Sequence, residues 1–474
     1  MLASLPRLTR LRVAAPLLAA AALCLVACEG YDGYDDNIGR SGSGGGGSGG
    51  RGGRGGASAA GSGGQAGAAM AGRGGSGGRA GAGGRGGAGG AGNGALDDGG
   101  VSNEPDVESQ AADLRVDWNV LLGEHLTLTA KASAAAVGGR TDERSAYTAR
   151  LEENANRLRD QVSAAFGGEV GDAWLDLWTD HNGWIADYAS ALAVSNTVAR
   201  DGAFQKLREM YAPRLGELLA PQVGETPAAL EAIANEHLDA TLVIIDTQAA
   251  QDWPNVFVHY RAAFARTQSL ADVISVGTAE QLPRRYPGDP EADTATLRVG
   301  MNAVLQEHAY LATFASGALP GGDPRQVEFE VAATALADNG SVLGLLVANF
   351  VTQAAADEFT ALWLSHNLAL MEYAMGKNEP DAAKSDAALE TLTDTYVPQL
   401  ATLLHDATAL PETMLRSLNA EHVSGMRVVI DAQAAGKPGD ASQADVNAAQ
   451  HMRMLGDPLS IAFAAKLTAN AQTE

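Results

Sequence analysis

The sequence predicts an all-α protein: two tandem homologous helical bundles, five to six helices each, after a disordered Gly-rich tether. Three observations carry this. From residue 107 onward, apolar residues recur at steps of three and four, the period of a half-buried helix. Alternating β-branched runs closed by hairpin turns are missing there. Finally, long blocks of the second half repeat the first in order and almost without gaps.

Residues 1–27 read as a signal peptide. Arg7, Arg10 and Arg12 make a basic start with no acid nearby. The apolar run VAAPLLAAAALCLVA follows, too short for a comfortable transmembrane helix. It closes on LVAC, Leu25 to Cys28. This resembles the lipobox of bacterial lipoprotein precursors, in which a small residue precedes a cysteine that is acylated and becomes the new N-terminus. The resemblance covers only the first ~30 residues, a usual length for a secretory signal. It implies lipidation at Cys28, a membrane partner reached through that lipid, and a place in the cell envelope. Because Glu29 rather than Asp follows the cysteine, the family's sorting rule favours the outer membrane in a host with two. Two or more acyl chains, at roughly 0.8 kcal/mol per buried CH₂, anchor stably. Cys24 and Cys28 are the only cysteines, so the mature domains rest on their cores without a disulfide.

Residues 28–106 hold the lipidated cysteine and then a linker dominated by Gly, Ala, Ser and scattered Arg. Too few apolar side chains are present to offset the entropy of ordering. Such a tether of about 78 residues has an r.m.s. reach on the order of 50 Å. An RNA-binding reading of its RGG steps lacks interleaved aromatics. A phosphate loop would need G-x-x-x-x-G-K-[ST], which is absent. The formal charge is −24, and loss of the three signal arginines takes it to −27. That surface repels nucleic acid and anionic lipid, and attracts cations weakly and without specificity.

The two bundles are assigned to 107–285 and 286–474. LRVDWNVLLGEHLTL at 114 matches LRVGMNAVLQEHAYL at 297, and LEENANRL at 151 matches LADNGSVL at 336. AWLDLWTDHNGWIADYA at 173 matches EFTALWLSHNLALMEYA at 358, and YAPRLGELL at 211 matches YVPQLATLL at 396. NEHLDATLVIIDTQAA at 235 has its counterpart at 420. Helical stripes run through Leu114, Trp118, Leu121 and His125, through Trp174, Trp178, His181 and Ile185, and through Ala234, His237, Thr241 and Ile244. The segment PRRYPGDPEADTA separates the copies, and a Pro-rich linker with few contacts predicts that each copy folds alone. The repeated pattern resembles all-helical domains of bacterial envelope proteins, a resemblance that carries no activity.

Of nine histidines, eight form four equivalent pairs: His125 with His308, His181 with His366, His237 with His422, and His259 with His451. The first three of each copy sit near helix midpoints on the apolar stripe, where side chains of one bundle can converge. One reading is a transition-metal site, since three neutral imidazoles with a fourth position suit Zn, Cu or Ni. Bis-histidine haem is a further possibility, without the C-x-x-C-H attachment motif. The other reading is a structural polar network, with Asn119, Asn182, Tyr188 and Gln248 as partners and Asn302, Asn367, Tyr373 and Gln433 as their counterparts. Glu124, Asp180 and Glu236 precede the three histidines, but adjacent helical residues diverge by about 100°, so they are poor ligands. His259 lies near the following turn and cannot reach the level of His237. Asp246 with His259, and Asp431 with His451, are expected as separate polar pairs. A nucleophile elbow and H-E-x-x-H are absent, so a tethered scaffold or binding module is expected over an enzyme, with a metal-binding lipoprotein as the alternative.

Overall fold

A computed structural model describes residues 106–471, apart from 323, 324 and 380. The signal peptide, Cys28 and the tether fall outside these residues. All the regular structure among the described residues is helical. Among the described residues each copy has six long helices. In the first they are α1 (Gln110–Val137), α2 (Thr141–Phe166), α3 (Gly168–Ala193), α4 (197–223), α5 (Pro227–Ala249) and α6 (Trp253–Gln281). In the second they are α7 (Asp293–Ala318), α8 (Gln326–Ala348), α9 (Gln353–Asn378), α10 (382–408), α11 (Glu412–Ala434) and α12 (Pro438–Ala471).

Local chemistry sets several boundaries. Ser109, Thr226 and Thr352 cap α1, α5 and α9 by accepting the N–H of the residue three further on. Pro227 opens α5, where a missing N–H costs nothing. α4 and α10 are each interrupted by a π-helical turn, Leu207–Tyr211 and Thr391–Tyr396. Pro213 and Pro398 explain both. A proline inside a helix cannot bond the carbonyl four residues back, here Glu209 or Asp394, and its ring pushes that carbonyl away. The turn widens and ends on a tyrosine.

The sequence treats α1 and α7 as striped helices, but both are buried on nearly every side. The reason is their place in the fold. Each is the central helix of its copy, and the two pack against each other. Gly123 marks the crossing: a Cβ there would meet Gln306 Oε1 at 2.7 Å and Phe264 at 3.0 Å. Gln306 is the repeat equivalent of Gly123, and its amide donates to Val120 O at 2.9 Å. Contact between equivalent positions places a pseudo-two-fold axis at this crossing. The remaining contacts obey it, with α2 packing on α12 and α8 on α6.

The expectation that each copy folds alone therefore changes. One core cluster runs across the boundary, joining Leu126, Tyr260 and Phe264 to Leu305, Tyr310 and Phe463. Polar groups cross it as well. Asp117 pairs with Arg453, Arg261 with Glu307, and Gln450 donates to Glu124. Deepest of all, the ammonium of Lys131 on α1 is bound by Asp445 of α12 and by Thr313 Oγ1 of α7. Lys131 also lies 4.6 Å from the Phe314 ring centre. Burial pushes the Lys131 amine down, and Asp445 opposes this. Removing one partner of a buried pair strands the other charge, at a cost of roughly 3–5 kcal/mol. Lys131→Met should lower stability in urea by that amount, and a loss below about 1 kcal/mol would show the pair is immaterial.

Candidate metal centre

Of the sequence-selected residues, the structure brings His125, His181 and His237 together, and likewise His308, His366 and His422. Each trio comes from the first, third and fifth helices of its copy, near their midpoints. Within each trio one ring nitrogen from every histidine lies within 4.8 Å of the other two. Ring centres are 5.4, 5.8 and 5.9 Å apart in the first copy and 5.1, 5.6 and 5.7 Å in the second. All six side chains are 0–2% exposed.

The walls are aromatic. Trp178 sits 4.8 Å from His125 and 5.1 Å from His181, and Tyr211 stacks on His181 at 4.2 Å. Trp363 and Tyr396 repeat this around His308 and His366, with Tyr396 stacked at 4.4 Å. Both tyrosines are the last residue of a π turn. The sequence puts Trp178 on one apolar stripe with His181, whereas Tyr211 and Tyr396 stand off every stripe read above, each two residues before a proline in a repeated block.

Burial holds the imidazoles neutral. His237 and His366 are pushed down to about 4, chiefly by desolvation. His125, His181, His308 and His422 lie well below the usual histidine range, from desolvation first and neighbouring imidazoles second. Neutral imidazole is the ligating form.

The partners proposed for a structural network point elsewhere. Asn119 donates to Arg115 O and Asp272, and Asn302 to Arg298 O and Asp457. Gln248 bonds Ala130 O and Ser133, and Gln433 bonds Thr313 O and Ser316. Tyr188 donates to Asp246 and Tyr373 to Asp431, each at 2.8 Å. Asn367 reaches only Leu336 O at 3.5 Å, and the buried Asn182 Oδ1 has no partner.

These bonds also correct the expected polar pairs. Asp246 faces Tyr188 on α3 rather than His259, and Asp431 binds Tyr373 and Lys377 rather than His451. His451 Nε2 meets Leu418 O at 3.2 Å. His259 is half-buried, with Asp252 as the charge that acts on it. The acid end of each pair is turned to the third helix, which spacing along the fifth helix alone cannot reveal.

The acids beside the histidines are engaged too. Glu124, wholly buried, takes Asn154, Arg157 and Gln450, and Glu307 takes Asn339 and Arg261. Asp180 pairs with Arg214 at the surface, and Glu236 is exposed.

Thus most of the other duplicated polar side chains make at least one hydrogen bond, although the amide oxygens of Asn119, Asn154 and Asn182 and of their counterparts are unpartnered, while four of the six trio imidazoles have no partner at either nitrogen. The two exceptions are informative. His366 Nδ1 is 2.9 Å from Trp363 O, and a carbonyl can only accept, so the proton sits on Nδ1 and the unpartnered Nε2 is left with a free lone pair. His237 Nδ1 meets Thr267 Oγ1 at 3.3 Å, and that hydroxyl already donates to Ala263 O, which fixes the same tautomer. A buried group left unsatisfied costs roughly 1–3 kcal/mol, so a core of six imidazoles without a ligand is an expensive way to build a bundle.

The donor set fits a transition metal. Metal–nitrogen bonds of about 2.0–2.1 Å need nitrogens about 3–3.5 Å apart, so the trios have to close by roughly an ångström. Against haem stand the rings already packed on the first trio's imidazoles, Trp178, a further histidine and Tyr211, at 4.2–5.8 Å. Comparisons with protein-family models, characterised proteins and solved structures find no match.

The tyrosine hydroxyls give a simple check. Tyr211 and Tyr396 are buried and their hydroxyls have no partner. In the metal-free protein Tyr211→Phe should be neutral or stabilising by up to about 1 kcal/mol, since an unpaired polar group is removed at constant shape. A loss above about 1 kcal/mol by thermal melt would show that the hydroxyl has a bond to lose.

Proposed function

We propose that the protein binds transition-metal ions, one per repeat, through His125, His181 and His237 and through His308, His366 and His422. One observation carries the reading: two trios of buried, neutral imidazoles converge while nearly all their nitrogens lack a hydrogen-bond partner. Imidazole sets of this kind suit Zn, Cu or Ni. Closed aromatic walls favour holding an ion over turning over a substrate. As part of the same proposal, lipid on Cys28 anchors the chain to the cell envelope, at the outer membrane where the host has two. The tether then displays the bundles as a binding module.

Two experiments test the parts separately. Elemental analysis of the chain, stripped with chelator, reloaded and freed of excess ion, should find about two metals per chain. None would leave a tethered helical scaffold. Mass spectrometry of the mature N-terminus should find acylated Cys28, and an unmodified terminus would remove the anchor without touching the metal.

A further inference from the structure

We infer that each trio is built for a monovalent ion, Cu(I), rather than for Zn(II) or another divalent ion; this rests on the metal-binding reading above. Charge decides the choice in a closed site. The three donors are neutral imidazoles, 0–2% exposed. The walls, Trp178 and Tyr211 in one copy and Trp363 and Tyr396 in the other, are neutral as well.

The carboxylates adjacent in sequence are committed elsewhere. Glu124 and Glu307 are held by Asn154 and Arg157 and by Asn339 and Arg261. Asp180 is paired with Arg214 at the surface, and its counterpart in the second copy is Ser365, which carries no charge. Glu421 is exposed and bonded to Ser417. The desolvation cost of an ion grows with the square of its charge, so a divalent ion in this uncompensated cage costs roughly four times as much as a monovalent one.

Coordination number points the same way. Three-histidine zinc centres keep a fourth position open for water. Here rings packed at 4.2–5.9 Å surround the donors, and among the described residues neither trio includes an acid that could replace that water. Cu(I), with a filled d shell and one positive charge, is satisfied by three nitrogens in a plane. Both copies keep the three histidines, the tryptophan and the tyrosine but not the acid at 180, which fits an ion that needs no counter-charge.

The test compares ions on the metal-free full chain under anaerobic conditions. Cu(I) is titrated against the chromophoric chelator bicinchoninate, and Zn(II) and Co(II) against matched chelators. The expected result is two Cu(I) per chain, with a preference of roughly 100-fold or more over both divalent ions. His181→Gln and His366→Gln should each reduce the count to one. If either variant fails to fold, the comparison of ions on the wild type still decides. Zn(II) or Co(II) bound at two per chain as tightly as Cu(I) would overturn the charge argument and leave the metal-binding reading standing. Divalent binding that disappears in Tyr211→Phe would overturn it too, by making the phenolate the counter-charge. Failure of all three ions to bind would remove the metal-binding reading itself.

Discussion

Loading both centres should raise the melting temperature on the order of 10 °C. A ligand that binds only the folded state stabilises it by about 4.1 kcal/mol per site at a thousand times its dissociation constant, so about 8 kcal/mol for two. Unfolding roughly 370 ordered residues carries an entropy near 0.8 kcal/mol/K, which converts this to about 10 °C. The effect should be specific to the histidines. His181→Ala should lose about half of it, and His181→Ala with His366→Ala nearly all. The background is a strongly acidic chain that collects cations weakly at its surface. A shift that survives the double substitution would assign the ion to that surface. Calorimetry with and without metal makes the comparison.

Acid should unfold the metal-free protein well before it reaches pH 4. The unfolded chain takes up protons on its histidines near pH 6.5. In the folded state His237 and His366 resist protonation down to about 4, and burial holds the other four well below the usual histidine range too. The folded pKa is depressed, so the unfolded state binds more protons between these values and stability falls as pH falls. The full contribution is present above about pH 6.5 and is lost on the way to the folded pKa. Each histidine removes about 1.4 kcal/mol per pH unit in that window. His237 and His366 alone cost roughly 7 kcal/mol by pH 4, against a usual total stability of about 5–15. Bound metal should move the transition to lower pH, since protons then compete with the ion. Circular dichroism across pH 7 to 4 reads both. A metal-free protein with unchanged helicity and melting temperature at pH 4.5 would show that the trios protonate freely in the folded state.

Much of this architecture is legible in the sequence. The three- and four-residue steps mark the helices, and the repeat fixes two copies. The trio is legible because His125, His181 and His237 share one property that spacing can measure, a position near the middle of a long helix. The partner assignments fail for a reason that spacing could also have measured. Gln248 is eleven residues from His237, about 16 Å along the helix, and Asn119 is about 9 Å from His125. Neither can reach the ring. What spacing cannot show is which neighbour a polar face will meet. Asp246 turns to Tyr188, Lys131 crosses to Asp445, and Arg115 binds Asp272, all choices made by helix packing. The intimacy of the two copies is hidden for a similar reason. A Pro-rich connector looks like a domain boundary, yet α1 and α7 are apolar on the faces their own bundles leave uncovered, and those faces bury each other.

X-ray absorption at the edge of the bound metal tests the central claim most directly. The expected result is a first shell of nitrogen near 2.0 Å, with outer-shell scattering from three imidazole rings per ion. A shell dominated by oxygen and lacking the imidazole pattern would put the ion on surface carboxylates, and the buried histidine trios would then not be its site.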